Sequence, residues 1–412
     1  IKNKRVLIRV DYNVPMIDGQ VCNQFRLISS INTINYCLSE NCSIVLMTHI
    51  GRPINGFDEK YSVYPILNFL ENHNIKAVKI GKTGVLVEFN SNTSSKSILI
   101  RADIDALPIQ EKNQFKHKSK INGISHKCGH DGHTSILLGL AVQLTKTPIQ
   151  KGKVFLLFQP SEENGKGAKA VLNDSTFNKL KIDYAFALHN LPGFPLHEIV
   201  IKENEFTSNV KSVIIKLNGK TAHAAEPEKG YNPANAIAAI IDQVSKSNNN
   251  NPSSKDFFLI TPIHINMGEV AYGISAGYGE VHFTIRSWST ELMEKECIAL
   301  ESYISNLCKQ EKLTFETTWL EEFYSNNNDK IAVKIIKEAA IKNDLSINDI
   351  LTPFKWGEDF GLFTQRFKGA MFGLGAGIKT PPLHNPDYDF PDEITSTGID
   401  MFNEIIKKTL EY

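Results

Sequence analysis

The sequence predicts a mixed α/β chain: a mostly parallel sheet with a smaller α+β domain of βαββαβ order inserted into it. Three observations predict this. Short apolar runs such as Lys153 to Phe158 and Ala185 to Leu188 read as strands buried on both faces. Helically spaced segments alternate with them, the rhythm of parallel strands joined by helical crossovers. Around Phe206 the pattern changes to longer alternating strands and two long helices, and α/β elements resume after about residue 330.

The elements follow in order. Arg5 to Val10 reads as a buried strand, residues 26–39 as a helix, and Ser43 to Met47 as a second strand. The loop Thr48 to Pro53 lies at that strand's carboxyl end, where open α/β sheets bind ligands. Strands near 84–89 and 97–102 lead into Asp103-Ile104-Asp105, and a helix is expected to begin near His133. The strand ending at Phe158 delivers Glu162-Glu163, and the one ending at Leu188 delivers His189. The inserted domain takes strands at 210–217, 257–268, 279–286 and 313–320 with helices at 233–244 and 290–310. Gly373 to Gly377 reads as a turn, since a dinucleotide loop would need strand–helix context and would not lead into Pro381-Pro382.

Composition excludes several classes of function. Lys plus Arg and Asp plus Glu stand at 45 each, so no basic field argues for nucleic acid or an anionic membrane surface. No apolar run is long enough to span a bilayer. The six cysteines are irregularly spaced and read as reduced thiols of a cytoplasmic protein rather than a disulfide framework. The chain begins at Ile1 rather than Met, so leading residues are expected to be missing and the lack of a signal peptide carries little weight.

The densest chemistry lies in Cys128-Gly129-His130-Asp131-Gly132-His133, followed by Glu162-Glu163. A thiolate, imidazoles and carboxylates are the donors that borderline divalent metals accept. Gly129 and Gly132 are expected to supply the sharp turn that brings Cys128 and His130 together. A buried cysteine beside satisfied histidines, and a solvated acidic loop, are the alternative readings.

From about residue 66 onward the chain resembles the M20 metallopeptidase family, in its N-acyl-amino-acid and hippurate amidohydrolase branch. The resemblance runs through Arg101 to Pro108, His126 to His133, Phe158 to Glu163, Ala187-Leu188-His189, Gly219 to Ala225 and Leu383-His384-Asn385, in that order. It implies a catalytic metallohydrolase domain over 66–205 and 322–412 and an inserted lid or dimerisation domain over 206–321. It also implies two divalent metal ions (Zn, Mn, Ni or Co) held by Cys128, His130, Glu163, His189 and His384, with the thiolate of Cys128 bridging. Two such ions clamp a hydroxide and polarise an amide carbonyl. Glu162 is then the general base, Asp103 and Asp105 orient the ligands, and His223 stabilises the developing oxyanion. A salt bridge with Arg101 is the alternative for Asp103 and Asp105, and a plain surface loop for His223. His126 and His133 fall behind the ligands. The implied partner is a small-molecule N-acyl amino acid or peptide substrate, with a homodimer through the inserted domain. Where many members carry an Asn-hydrophobic-Pro step, this chain has Ala271 to Gly277, which leaves substrate-carboxylate recognition open. Arg286 could bind such a carboxylate or serve a structural salt bridge.

Residues 1–65 resemble the amino-terminal start of phosphoglycerate kinase, a partial α/β segment. In that family the positions matching Asp11, Asn13, Arg26, His49 and Arg52 contact the phosphoglycerate. The kinase's nucleotide-binding domain has no counterpart, so the chain reads as two genes joined at a seam, by natural fusion or by sequence assembly. The other readings of the whole chain are an inactive chimera and a phosphoryl-transferring kinase fragment.

Overall fold

The structure, a computed structural model, describes residues 2, 4–10, 12, 16–17, 20–21, 25–40, 42–47, 78–81 and 83–412. At the amino end, strand β1 (Arg5–Arg9) pairs parallel with β2 (Ser43–Met47), and helix α1 (Phe25–Ser39) connects them. Helix α1 buries Leu27 and Ile34 but leaves Ile28, Tyr36 and Leu38 exposed. Arg26 falls in its first turn, with its side chain outside the described set. Asp11, Asn13, His49 and Arg52 lie outside the described residues, as does the seam near 61–74.

The large sheet has eight strands: β3 (Val78–Ile80), β4 (Gly84–Asn90), β5 (Ser97–Asp103), β6 (Lys153–Gln159), β7 (Tyr184–Leu191), β8 (Ile199–Ile201), β13 (Ile347–Asp349) and β14 (Lys368–Gly375). Their spatial order is β13-β8-β14-β7-β5-β6-β4-β3. The central β14, β7, β5 and β6 run parallel, and antiparallel pairings flank them. Every residue of β5 and β7 is buried, as expected for strands covered on both faces. Ile98, Ile100, Leu156 and Phe186 pack with helices α2 (His130–Lys146), α6 (Lys330–Lys342) and α8 (Ile394–Leu410). Leu99, Phe155, Leu157 and Ala185 pack the opposite face against α3 (Gly167–Leu172) and α7 (Gly361–Arg366).

Two expectations are corrected here. Helix α2 begins at His130 rather than His133, because Gly129 adopts φ 87° and starts the helix one turn earlier. Gly373 and Gly375 belong to strand β14 and are packed tightly, with Leu191 against Gly373 and the Pro195 carbonyl against Gly375. Of that run only Gly377 takes a turn conformation, at φ 107°.

The inserted domain is a four-stranded antiparallel sheet of β9 (Asn209–Asn218), β10 (Phe258–Met267), β11 (Tyr278–Ser287) and β12 (Thr314–Phe323), in the order β10-β11-β9-β12. Helices α4 (Ala234–Ser247) and α5 (Thr290–Gln310) cover one face, burying Ile240, Val244, Met293 and Ile304 against Val213, Ile215, Phe283 and Ile285. The chain order is βαββαβ, as the alternating pattern predicts. Ser289 caps α5 by accepting from the Leu292 amide at 3.1 Å, and Asp329 caps α6 through the Ile331 and Ala332 amides.

Candidate metal centre

The parallel strands deliver their carboxyl ends to one edge, and the site forms there. Strand β5 ends at Asp103, and Asp105 follows just beyond it. Its Oδ1 accepts the Glu162 amide and its Oδ2 the Glu163 amide, each at 3.1 Å, so one carboxylate holds the acidic pair after β6. His189 lies within β7, and His384 comes from a loop where it adopts φ 66°. The His384 amide donates to the Lys127 carbonyl at 2.6 Å, which ties that loop to the Cys128 turn.

Gly129 and Gly132 serve different ends. At Gly129 the backbone is left-handed, and an added Cβ would lie 2.7 Å from Asn190 Oδ1. Gly132 sits inside α2, where an added Cβ would meet the Phe390 ring at 2.3 Å. It permits close packing rather than the expected turn.

Hydrogen bonds sort the histidines. His130 Nδ1 lies 3.1 Å from the Asp105 carbonyl and His189 Nδ1 2.9 Å from the Asn190 carbonyl, so each donates there and turns Nε2 inward. His130 Nε2 is buried without a hydrogen-bond partner, as is Glu163 Oε1, 3.9 Å away. His189 Nε2 approaches Cys128 Sγ at 3.6 Å, and His384 Nε2 approaches Glu163 Oε1 at 3.6 Å. His133 differs: its Nδ1 donates to Asp103 Oδ1 and its Nε2 accepts the Asn190 amide at 3.1 Å, so both nitrogens are used. His126 Nδ1 is buried and unpartnered.

Donor atoms of Cys128, His130 and His189 lie within 4.8 Å of one another, and so do those of Cys128, Glu163 and His384. The two sets share the cysteine sulfur. Orphaned inward nitrogen and oxygen atoms on anchored side chains are what a cation site presents. Charge points the same way. Burial, Glu163 and Glu162 push the Cys128 thiol well above its usual range. Burial and the neighbouring Glu358, Asp359 and Glu163 push Glu162 well up, and burial pushes Glu163 up to about 7. His130 rises to about 9: burial lowers it, but Asp103, Asp105 and Glu163 outweigh that. Burial and His133 press His189 down to about 3.

Behind the donors lies a hub the sequence reading did not single out in full. Arg101 is fully buried and pairs with Asp103 at 2.6 Å, Glu358 at 2.9 Å and Asp359 at 2.7 Å. Asp103 therefore both pairs with Arg101 and orients His133. No local pattern in the sequence marks the acidic pair Glu358-Asp359 after Gly357, or Trp356, which packs on His189 with ring centroids 5.2 Å apart. Arg286 donates to the Lys355 carbonyl at 2.6 Å, beside Trp356, and burial lowers its pKa with no acidic neighbour to offset it among the described residues. His223 stands apart: exposed, in a two-residue strand, with Nδ1 accepting the Ala225 amide at 3.1 Å.

Comparison with known proteins gives this site a lineage. The family model for Peptidase family M20/M25/M40 matches residues 99–408. N-acetyldiaminopimelate deacetylase of Bacillus subtilis is 30% identical over 345 residues, covering 81% of this chain and 90% of its own. Hippurate hydrolase of Campylobacter jejuni is 28% identical over 368 residues, covering 87% and 94%. The crystal structure of the Bacillus subtilis YXEP protein, described as a dinuclear metal-binding peptidase of the M20 family, superposes with TM-score 0.70 at 26% identity, covering 86% and 93%. A second family model, phosphoglycerate kinase, matches residues 1–92. Strand β4 nevertheless pairs along β6 from Val85↔Phe158 to Asn90↔Lys153, so those residues are part of the hydrolase sheet. The chain belongs to peptidase family M20/M25/M40, and it is an enzyme of the amidohydrolase or peptidase kind.

Proposed function

We propose that the chain hydrolyses the amide bond of N-acyl amino acids or small peptide-like substrates, using two divalent metal ions. The observation that carries this reading is the pair of three-donor sets sharing Cys128 Sγ. Cys128, His130 and His189 would hold one ion, and Cys128, Glu163 and His384 the other, with Zn, Mn, Ni and Co all suited to the mixed donors. Bound there, the ions would lower the pKa of a water toward about 7 and polarise an amide carbonyl.

The chain's own residues do the rest. Glu162, with its proton affinity raised by burial and by its acidic neighbours, takes a proton from the attacking water and passes it to the leaving nitrogen. Asp105 fixes Glu162 and Glu163 through their amides. Arg101 and Asp103 hold His133, which in turn receives the Asn190 amide beside His189. Arg286, next to Trp356, would take a substrate carboxylate, and His223 would donate to the oxyanion if the inserted domain closes or a second chain presents it. The free buried thiols Cys297 and Cys308 fit a reducing cytoplasmic setting, and among the described residues no helix is long and apolar enough to cross a membrane.

The test is hydrolysis of hippurate and N-acetyl amino acids by the full chain loaded with Mn²⁺, Zn²⁺, Ni²⁺ or Co²⁺. Turnover that Glu162→Ala removes while metal content is kept supports the reading. No turnover with any metal, or full turnover in the variant, sinks it.

A further inference from the structure

The open face of the inserted sheet carries a second convergent set of donors, remote in sequence from the centre above. Along β11 the residues alternate: Val281, Phe283 and Ile285 are buried under the helices, while Tyr278, Glu280 and His282 lie on the other face. His264 on the neighbouring β10 stands directly opposite His282. It does so because the register shifts by one residue between Pro262 and His264. Without that bulge Ile263 would face His282, and His264 would point to the helix side. Bulges of this kind re-aim side chains at sites.

The geometry converges on one atom. Glu280 Oε1 lies 3.7 Å from His282 Nε2 and 3.9 Å from His264 Nε2, and the two rings have centroids 4.9 Å apart. The other carboxylate oxygen, Oε2, accepts the Tyr278 hydroxyl at 2.7 Å, which fixes the carboxylate with Oε1 toward the imidazoles. His282 Nε2 is buried and has no hydrogen-bond partner. Two donors bound at 2.0–2.1 Å with a tetrahedral angle lie roughly 3.4 Å apart, so modest side-chain rotation closes this set on an ion. Lys216 on β9 is in register with Glu280 and is the cation nearest the set by strand position.

We propose that His264, Glu280 and His282 form a further metal site for a borderline divalent cation such as Zn²⁺, Ni²⁺, Co²⁺ or Cu²⁺, with water completing the coordination. Two imidazoles and one carboxylate suit these ions rather than Mg²⁺ or Ca²⁺. An ion there cross-links edge strand β10 to β11 and stiffens the sheet edge.

The test equilibrates the full chain with chelator-buffered Zn²⁺ and counts bound metal by mass spectrometry, beside His264→Asn and Glu280→Gln. Glutamine still accepts from Tyr278, so that variant keeps the local hydrogen bond. Each variant is expected to bind one equivalent fewer than the parent, and the double variant no fewer than either single. This difference is independent of what the catalytic cluster holds, so the proposal stands or falls apart from the hydrolase reading. Equal metal content in the parent and in either folded variant overturns the site and leaves Glu280 an ion-pair partner of the two histidines.

Discussion

Loading the metal-free chain with ions should expel a countable number of protons. Metal ligands bind as thiolate, neutral imidazole and carboxylate, so whatever protons the empty site holds must leave. At pH 7 the Cys128 thiol, raised well above its ordinary range, holds one. His130, at about 9, holds another almost fully. Glu163, at about 7, holds half of one. His189, at about 3, holds none, and His384 is lowered below its usual value by burial. The expected release from these five ligands alone is therefore about two and a half protons per chain at pH 7. The product of the two ions' apparent affinities should climb by more than about a hundredfold per pH unit around neutrality, because each proton released contributes a factor of ten. Calorimetric titration of the apo chain in buffers of different ionisation enthalpy measures the number directly. Cys128→Ser should reduce it by about one. Release of less than one proton at pH 7 would refute the assignment of Cys128 and His130 as ligands.

Arg101→Met should destabilise the chain by about 3–5 kcal/mol at pH 8, because Asp103, Glu358 and Asp359 lose their common buried counter-charge. The cost should shrink at pH 5, where the abandoned carboxyls can take protons, and denaturant melts at the two pH values check it. An equal loss at both pH values would show that packing rather than charge is the reason. Gly129→Ala should cost about 1–3 kcal/mol from its left-handed backbone and crowd the Asn190 side chain. Bound metal per chain should fall with it, since the residue sits between Cys128 and His130.

How far the sequence disclosed this arrangement depends on how local each signal is. Strands β5, β6 and β7 were legible because strands buried on both faces leave unbroken apolar runs, and the inserted domain because its strands alternate. The donor residues of the candidate site stood out because Cys128, His130 and the Glu162-Glu163 pair cluster in short motifs. What stayed hidden is contact between distant segments. Nothing local in the sequence marks Glu358 and Asp359; their partner Arg101 lies more than 250 positions earlier and is reached only through the fold. The distinction between His130 and His133 was likewise invisible, since both sit in one motif. It follows from which nitrogen each offers, and that is set by the Asp105 carbonyl in one case and by Asp103 with the Asn190 amide in the other. The start of α2 departs from the sequence expectation because Gly129 begins the helix without any of the side-chain caps that mark most helix starts.

The charge balance of the site explains why its scaffold looks incomplete by itself. Asp103, Asp105, Glu162, Glu163, Glu358 and Asp359 crowd one region, and Arg101 is the arginine buried among them and paired with Asp103, Glu358 and Asp359. Arg101 neutralises part of the inner group, and the outer acids and the thiol are left to raised proton affinities. Without a metal, the site offsets part of its negative charge by holding protons on Cys128, Glu162 and Glu163. Divalent cations would replace those protons, and their binding free energy would add to folding because the unfolded chain has no preformed site. With metal present, stability of the hydrolase domain should thus rise with both metal concentration and pH; without metal, the raised affinities of Glu163 and His130 for protons should make it fall as pH rises through neutrality. The amino-terminal segment contributes none of these donors, so its melting should be indifferent to the metal. Two transitions on heating, only the later of which moves when metal is added, are the expected signature, and a single transition that shifts as a whole would show that the two segments fold as one.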